Sequence, residues 1–304
     1  MSFVNVGEYA AAAEGGQNWF GMMNKAGASA SSQGGWVDWS GGAGYPQPNY
    51  FASAPLTAAT IASQRVPVPS VAPKKQWLHN LRVMLPANGA TGTANQNQSF
   101  ILCDYLMYYP FIDLVSTDEQ VMDNTITLPR YTSGRGVRMM LVLQASNGNY
   151  ATSVITIKYI NQDGAEKTVS LNLMWAAYAA SGCVAPNFGA ANASNLHPFV
   201  PLAPGDSGVR AVTSVQLSAD WGGLAAIVLV QPLFFGYAPQ ECRRTTTGNL
   251  DSFGSPIEYQ NLIHNYANIH IEDGAFLGVI SKCPNSVSGQ TGSRFIAFIE
   301  TVWN

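Results

Sequence analysis

The most informative shortage in this sequence is a shortage of charge. Only 11% of the 304 residues are Asp, Glu, Lys or Arg, whereas an ordinary soluble domain has about 25%. Much of the surface must therefore be neutral, and a neutral surface gives little protection against association. This composition is more typical of a protein that works inside an assembly than of one that diffuses alone. The formal net charge of −3 gives no electrostatic reason to expect nucleic acid or an anionic membrane as a partner.

Long apolar runs and a metal-binding cysteine pattern are missing as well. No apolar run approaches the ~20 residues of a membrane span. The first residues lack a basic region followed by an apolar one, so we expect no secretory signal. Cys103, Cys183, Cys242 and Cys283 lie too far apart for a paired-ligand motif. We therefore expect a chain made in a reducing cytosol, with four free thiols and neither a metal nor another cofactor.

Residues 1–75 differ in composition from residues 76–304. They are rich in Ala, Gly and Ser, they carry scattered aromatic residues, and several prolines interrupt their second half. Proline removes backbone donors and keeps a chain extended. This composition predicts an arm and linker that lies along the body or along a neighbouring subunit, with one short helix within residues 6–23. A flexible tail is the alternative interpretation.

The strongest local signal in the body, residues 76–304, is a β-hairpin. Apolar and polar residues alternate in residues 155–159 and again in residues 169–175, on either side of Asn161-Gln162-Asp163-Gly164. A two-residue period on both sides of an Asp-Gly turn is typical of two antiparallel strands.

Residues 198–235 form the stretch around which we expect the rest to be organised. A strand with one buried face is followed by a turn at residues 220–223 and by the apolar run 224–230, which is too short for a buried helix and predicts a central strand. No long amphipathic helix stands out in the body, so the sequence predicts an all-β, antiparallel β-sandwich with a jelly-roll topology. The remaining predicted strands are residues 77–85, 99–109, 137–145, 269–271, 275–281 and 294–302, and the predicted loops are residues 176–196 and 245–256.

One fragment resembles a catalytic motif. Gly205, Asp206, Ser207 and Gly208 match the serine-nucleophile tetrapeptide of chymotrypsin-like proteases, whose chemistry needs a histidine base near the serine and an acid to orient that histidine. Here the next residue is Val209 rather than glycine, and no histidine stands in the matching context. A turn whose side chains cap their own backbone explains the same residues. We therefore predict no catalytic residue here.

The histidines and the acids suggest no enzyme either. His79, His197, His264 and His270 lack the spacing of a zinc site and are predicted to be packed or surface residues. The densest acidic group lies in residues 104–123, interleaved with tyrosines. A paired-carboxylate glycosidase site is one interpretation of it, and a solvated loop rim or a subunit contact is the other. We predict that the chain is not an enzyme.

Several segments resemble a family of structural proteins of tailed bacteriophages. They are residues 36–60 (WVDWSGGAGYPQPNYFASAPLTAAT), 102–138 (LCDYLMYYPFIDLVSTDEQVMDNTITLPRYTSGRGVR), 198–232 around PLAPGDSGVRAV, and 271–278 (IEDGAFLG) with the terminal TVWN. The resemblance spans most of the chain in order and carries no enzymatic motif. It implies a head-associated virion protein of the decoration or minor capsid type.

We therefore predict a virion protein, synthesised in the host cytoplasm, that forms a homo-oligomer and binds the capsid and other virion proteins, with no nucleic acid or membrane as partner. The alternative is a tail, collar or fibre protein that binds or cleaves a host-receptor carbohydrate and exposes aromatics and acids in one groove. The candidate interface residues are Trp36, Trp39, Tyr45, Tyr50, Phe51, Tyr105, Tyr108 and Tyr109. The candidate shape-defining turn residues are Gly134, Gly136, Gly205, Asp206 and Gly208.

Overall fold

The computed structural model of the protein describes residues 3, 5–26, 36–48, 51–61, 65–84, 98–145, 153–173, 182–185, 197–238, 257–259, 269–282 and 294–304. These residues form one α-helix, one 3-10 helix and eighteen strands. The helix α1 is Val6–Glu14, and the 3-10 helix is Trp39–Gly41. The strands are β1 Asn18–Ala26, β2 Trp36–Asp38, β3 Gly44–Tyr45, β4 Ala59–Thr60, β5 Val66–Pro67, β6 Gln76–Met84, β7 Gln98–Asp113, β8 Gln120–Val121, β9 Arg138–Ala145, β10 Ser153–Asn161, β11 Glu166–Leu173, β12 Cys183–Ala185, β13 Val209–Leu217, β14 Leu224–Ala238, β15 Ile257–Tyr259, β16 His270–Ile271, β17 Phe276–Lys282 and β18 Arg294–Trp303.

The protein is all-β and built from several antiparallel sheets, as the sequence predicted, in an arrangement consistent with a β-sandwich. The predicted hairpin is confirmed: β10 pairs with β11, and Gly164 at the turn has a φ of 81°, which glycine adopts without a side-chain clash. The other strands predicted in the body are present as β6, β7, β9, β13, β14, β16, β17 and β18. The jelly-roll topology stays a prediction.

The largest sheet has eight strands in the order β4-β7-β14-β9-β12-β2-β17-β5, and a further pairing of β7 with β17 closes six of them on themselves. The length of β7 makes this possible, because one edge of β7 pairs with β14 while the other edge pairs with β17 at residues 100–104 and with β4 at residues 107–108. Successive side chains of a strand point to opposite faces. Accordingly Ile101 and Cys103 of β7 belong to one core, and Phe100 and Leu102 belong to another.

Two further sheets pack against this central sheet. The four-stranded sheet, β11-β10-β13-β8, shares a core with β7, β9 and β14 that includes Tyr109, Tyr159 and Ile227. The six-stranded sheet, β15-β6-β18-β1-β3 with β16 also on β6, shares a core with β17 that includes Phe295 and Val279. Each pair of sheets therefore buries the apolar face that a single sheet would leave in water.

The short helix predicted within residues 6–23 is present as α1. The Asn5 side chain caps α1 by accepting a hydrogen bond from the backbone N–H of Glu8 at 2.9 Å, and the helix ends before Gly15 and Gly16, of which Gly16 has a φ of 74°. Residues 18–26 form β1 instead, paired along its whole length with β18. This pairing joins the segment after α1 to a strand near the other end of the chain.

The described parts of residues 1–75 differ from a separate arm. Their strands are extended, but they belong to the same sheets as the body: β1 pairs with β18, β2 lies between β12 and β17, and β5 pairs with β17. Met23 and Trp39 share a core with Leu81 and Phe295. Sheets and cores therefore continue across residue 75, because these segments pair with strands of the body and bury Trp36, Trp39 and Phe51 in shared cores.

Two further details differ from or fall outside the predictions. The predicted loop 176–196 contains a short strand, β12, which pairs with β9 and β2. The predicted loop 245–256 lies outside the described residues. No helix in the described part of the chain is long and apolar enough to cross a membrane.

Candidate functional site

Two turn motifs that are distant in the sequence lie against each other. The N–H of Gly136 donates a hydrogen bond to the carbonyl oxygen of Ser207 at 3.0 Å, and Arg135 forms an antiparallel bridge with Gly208. Gly134, Gly136 and Gly205 have φ values of 74°, 79° and 89°, a region that side chains disfavour. Gly208 is required for a different reason, since a Cβ there would lie 1.9 Å from the carbonyl oxygen of Gly134. Gly134, Gly136 and Gly208 thus meet at one junction, and Gly205 lies in the turn that leads into it.

The β10–β11 hairpin holds this junction in place through Asp206. The Asp206 carboxylate accepts hydrogen bonds from the Tyr159 hydroxyl at 2.6 Å and from Asn161 Nδ2 at 2.8 Å. Gln162 Oε1 accepts from the backbone N–H of Ser207 at 2.9 Å and of Gly208 at 3.2 Å. Hydrogen bonds to the ionised form, first from Tyr159, lower the pKa of Asp206. Asp206 is therefore a structural acceptor in the described turn.

Burial and the Asp206 carboxylate raise the pKa of Tyr159 to about 12. The Tyr159 oxygen also accepts a hydrogen bond from the backbone N–H of Ala203 at 2.8 Å. This hydroxyl therefore stays protonated at neutral pH and links the hairpin to the segment that enters the turn.

Ser207 does not have the surroundings of a serine nucleophile in the described structure. Its side chain is exposed, and its backbone groups are engaged by Gln162 and Gly136. Within the residues that the structure describes, no hydrogen bond joins Ser207 to a histidine. The adjacent carboxylate of Asp206 is directed to Tyr159 and Asn161 instead of to an imidazole.

The histidines that the structure describes lie in three separate surroundings. His197 packs edge-on against Phe199 with 5.0 Å between ring centroids, and burial lowers its pKa. His79 Nε2 is 3.9 Å from a carboxylate oxygen of Glu300, and His270 Nδ1 is 3.4 Å from one of Glu272. His264 lies outside the described residues. In the described ranges no group of three His, Cys, Asp or Glu side chains could hold a metal ion.

Most aromatic residues predicted to form subunit contacts are buried inside this chain instead. This corrects the prediction for six of the eight, because each contributes to one of the chain's own cores and is at most 4% exposed. They are Trp36, Trp39, Phe51, Tyr105, Tyr108 and Tyr109. Tyr45 is 54% exposed and is still available as an interface candidate. Tyr50 lies outside the described residues.

A buried ion pair lies beside these aromatics. Arg65 Nη2 is 3.2 Å from Asp38 Oδ2, and both side chains are completely buried. The Arg65 guanidinium lies over the Tyr105 ring, 4.0 Å from its centroid, and 5.2 Å from the centroid of Phe51. Gly278 leaves the space for this stack, since a Cβ there would lie 2.6 Å from the Tyr105 ring and 2.9 Å from Arg65 Cδ.

Lys25 is a second buried cation near this pair. Its ammonium donates hydrogen bonds to the carbonyl oxygens of Ser40 and Gly42, each at 3.2 Å, and to that of Pro46. Burial and then the positive charge of Arg65 lower the pKa of Lys25 to about 8, against the opposing effect of Asp38. The carbonyl cage thus ties the segment after β2 to β1.

The acidic group of residues 104–123 does not form one exposed groove. Asp104 is completely buried and forms a two-pronged ion pair with Arg130, at 2.8 Å to Nε and 2.6 Å to Nη2. Its Oδ1 also accepts from the backbone N–H of Phe276 at 3.0 Å. Burial raises the pKa of Asp104, although Arg130 opposes the rise. Glu119 lies elsewhere, 2.7 Å from Lys158 Nζ on the four-stranded sheet.

Cys103 is free and buried, and burial raises the pKa of its thiol well above the ordinary range. A buried thiol of this kind is a poor nucleophile. The side chains of Cys183, Cys242 and Cys283 lie outside the described part of the chain, so the predicted state of their thiols stays a prediction.

An exposed apolar patch on the six-stranded sheet escaped the sequence analysis. Phe20 is 61% exposed and Met22 is 36% exposed, and the Phe20 ring stacks on Phe298 of β18 with 5.7 Å between centroids. Their neighbour Met23 is completely buried. The sequence does not reveal this patch because both faces of β1 carry apolar residues. A two-residue period therefore cannot show which face meets the core.

No protein-family model, curated protein or solved structure significantly matches this chain.

Proposed function

We propose that the protein is a structural component of a tailed-phage particle, which associates with itself and binds the capsid as a decoration or minor capsid protein. The observation that carries the proposal is a division between polar and apolar side chains among the described residues. Carboxylates that could act as acids or bases, among them Asp38, Asp104 and Asp206, are held by ion pairs or hydrogen bonds within the chain. Among the residues that the structure describes, the large hydrophobic side chains that are exposed are those of Val6, Phe20, Met22, Tyr45, Val115, Val121 and Phe235.

Exposed apolar side chains on a surface poor in charge favour association over catalysis. Apolar contact area is the main source of free energy in most protein association, and charged residues are depleted at the centres of interfaces. The sequence resemblance to phage structural proteins supports the same conclusion and names the kind of assembly.

The carbohydrate-receptor alternative has less support. A sugar-binding groove needs aromatic rings and acids exposed side by side. The tyrosines interleaved with the acids, Tyr105, Tyr108 and Tyr109, are buried. The Asp104 carboxylate is held in an ion pair with Arg130.

Cryo-electron microscopy and quantitative mass spectrometry of particles from the phage that encodes this chain test the proposal. We expect the chain in many copies per particle, with its density on the head. Absence of the chain from purified particles, or density confined to the tail fibres, would contradict the proposal.

A further inference from the structure

We infer that two copies of this chain pair through the open edge of β1, antiparallel and about a two-fold axis centred on Phe20. The inference rests on the proposed self-association and identifies the surface that carries it.

The two edges of β1 are paired to different extents. One edge is paired with β18 over all of residues 18–26. On the other edge, the described strands pair only at Asn24 and Lys25, which face Tyr45 and Gly44 of β3. No strand among the described residues pairs with residues 18–23 on this edge, so their backbone donors and acceptors there are open to a partner strand. An unpaired edge of this kind is a template for a strand from another chain.

The side chains of residues 18–23 include none of those that usually block edge pairing. Edge strands are commonly protected by charged side chains, particularly lysine, or by proline. Residues 18–23 (NWFGMM) contain neither. Lys25 is the only charged residue of β1, and it is buried at the end that β3 covers. The exposed side chains beside the edge, Phe20 and Met22, are apolar.

The absence of charge makes a second copy the best-fitting occupant. A strand that pairs with itself places like residues close together, and like charges directly opposite one another destabilise a sheet. Residues 18–24 carry no charge, so a copy meets no such repulsion. The Glu300 carboxylate lies one strand further from the edge, on β18, and accepts a hydrogen bond from Asn18 Nδ2 at 3.2 Å.

The open edge and its exposed side chains together indicate the register. A two-fold axis perpendicular to the sheet pairs only residues of the same face. Centring on Phe20 pairs Asn18 with Met22 of the second copy, and both lie in the open part of β1. Centring on Gly21 would instead pair Asn18 with Asn24, whose edge is already taken by Tyr45. Each centre pairs five open residues, 18–22 for Phe20 and 19–23 for Gly21. The Phe20 centre keeps the first residue of β1 clear of Tyr45 and brings two exposed Phe20 rings together at the axis, so we place the axis there.

Sedimentation equilibrium of the purified full-length chain tests the association. We expect a dimer or a larger even-numbered oligomer at micromolar concentration, and a rise of at least about tenfold in the dissociation constant for Phe20→Lys, since two ammonium groups would meet at the axis. Phe235→Lys is the matched control, because Phe235 is 62% exposed but lies on β14. A monomeric wild type, or equal effects of the two variants, would overturn the inference.

Crosslinking tests the register. In Phe20→Cys the two introduced thiols face each other about 5 Å apart, so a short bis-maleimide should link two copies. In Met22→Cys they are about 13 Å apart along the strands, and the link should be absent. The wild type treated in the same way measures the background from the native cysteines. Linkage at residue 22 alone indicates another register, and linkage at neither position indicates an edge occupied by something else; either result overturns the inference.

The two proposals fail separately. If the chain is present in particles while the Phe20→Lys variant forms an oligomer of the same mass as the wild type, the pairing through β1 is wrong and the structural role stands. If the chain is absent from particles, the structural role is wrong whatever its mass in solution.

Discussion

The carbonyl oxygen of Gly134 occupies the space that a side chain on Gly208 would need, since a Cβ at residue 208 would lie 1.9 Å from it. The obstacle is backbone, which cannot rotate away as a side chain can. The contact joins the turn before β9 to the turn before β13, and the hairpin of β10 and β11 holds the second turn through Asp206. The packing of these three segments against one another therefore requires glycine at residue 208.

Gly208→Ala is expected to destabilise the protein far more than Ser207→Ala. The alanine methyl must displace the Gly134 backbone, and overpacking of this kind costs about 1–3 kcal/mol or more. Ser207→Ala removes at most one local hydrogen bond, at about 1 kcal/mol or less. Urea unfolding of both variants measures the difference. Equal stabilities would refute the close contact between the two turns.

A fluorophosphonate probe is expected to leave Ser207 unlabelled. The serine is exposed, but its neighbouring carboxylate is bound by Tyr159 and Asn161, so nothing in the described turn activates the hydroxyl. Mass spectrometry of the treated protein is the measurement, with Ser207→Ala as the control. An adduct found on Ser207 and lost in that variant would replace the structural interpretation with an enzymatic one.

Breaking the Arg65–Asp38 pair from one side is expected to cost about 3–5 kcal/mol, because the remaining charge stays buried without its partner. Asp38→Asn and Arg65→Met are the single variants, and the double variant completes a cycle. We expect the double variant to lose less stability than the sum of the two single variants. Additive losses in chemical denaturation would show that the two side chains are not coupled.

Met23→Ala and Met22→Ala test whether β1 belongs to the folded core. Met23 is completely buried and Met22 is 36% exposed, so adjacent residues of one type serve as test and control. Met23→Ala is expected to lower the free energy of unfolding by about 2–5 kcal/mol. Met22→Ala is expected to change it by no more than about 0.5 kcal/mol. Similar small losses for both variants would favour an arm that lies outside the core.

The pH dependence of stability is expected to carry a contribution from Lys25. Its pKa in the folded chain is about 8, below the ordinary 10.5. Between these values the unfolded chain binds more protons than the folded one, so the contribution of Lys25 to the free energy of unfolding rises with pH. The contribution is lost as the pH falls through about 8.

Lys25→Met separates this contribution from those of the other groups. Burial raises the pKa values of Cys103 and of several tyrosines, and these shifts lower stability at high pH in both proteins alike. The unfolding free energy of the wild type minus that of the variant should therefore increase from about pH 8 to pH 10. Urea titrations at intervals across this range measure it, and a constant or falling difference would show that Lys25 is not desolvated.

Local sequence determined the all-β class, the β10–β11 hairpin and the positions of most strands. Alternation and turn-forming residues act over a few neighbours, so Asn161 and Gly164 specify their turn whatever the rest of the chain does. The glycines at residues 134, 136, 205 and 208 could be singled out as turn residues from the sequence, but the contact of Gly208 with Gly134 and Gly136 could not.

Only the tertiary structure decided which residues meet. The pairing of β1 with β18 and the closure of β7 on β17 join segments that are remote in the chain, and no local period encodes a distant partner. The same holds for the site: whether Trp36 or Tyr105 faces solvent depends on the strands that cover it, and whether the Asp104 charge is paired depends on the position of Arg130. Phe20 and Met23 are both apolar and lie on one strand. Met23 packs against the central sheet, so one face of β1 is buried and the other is open. This difference makes Met23 a core residue and Phe20 a candidate interface residue.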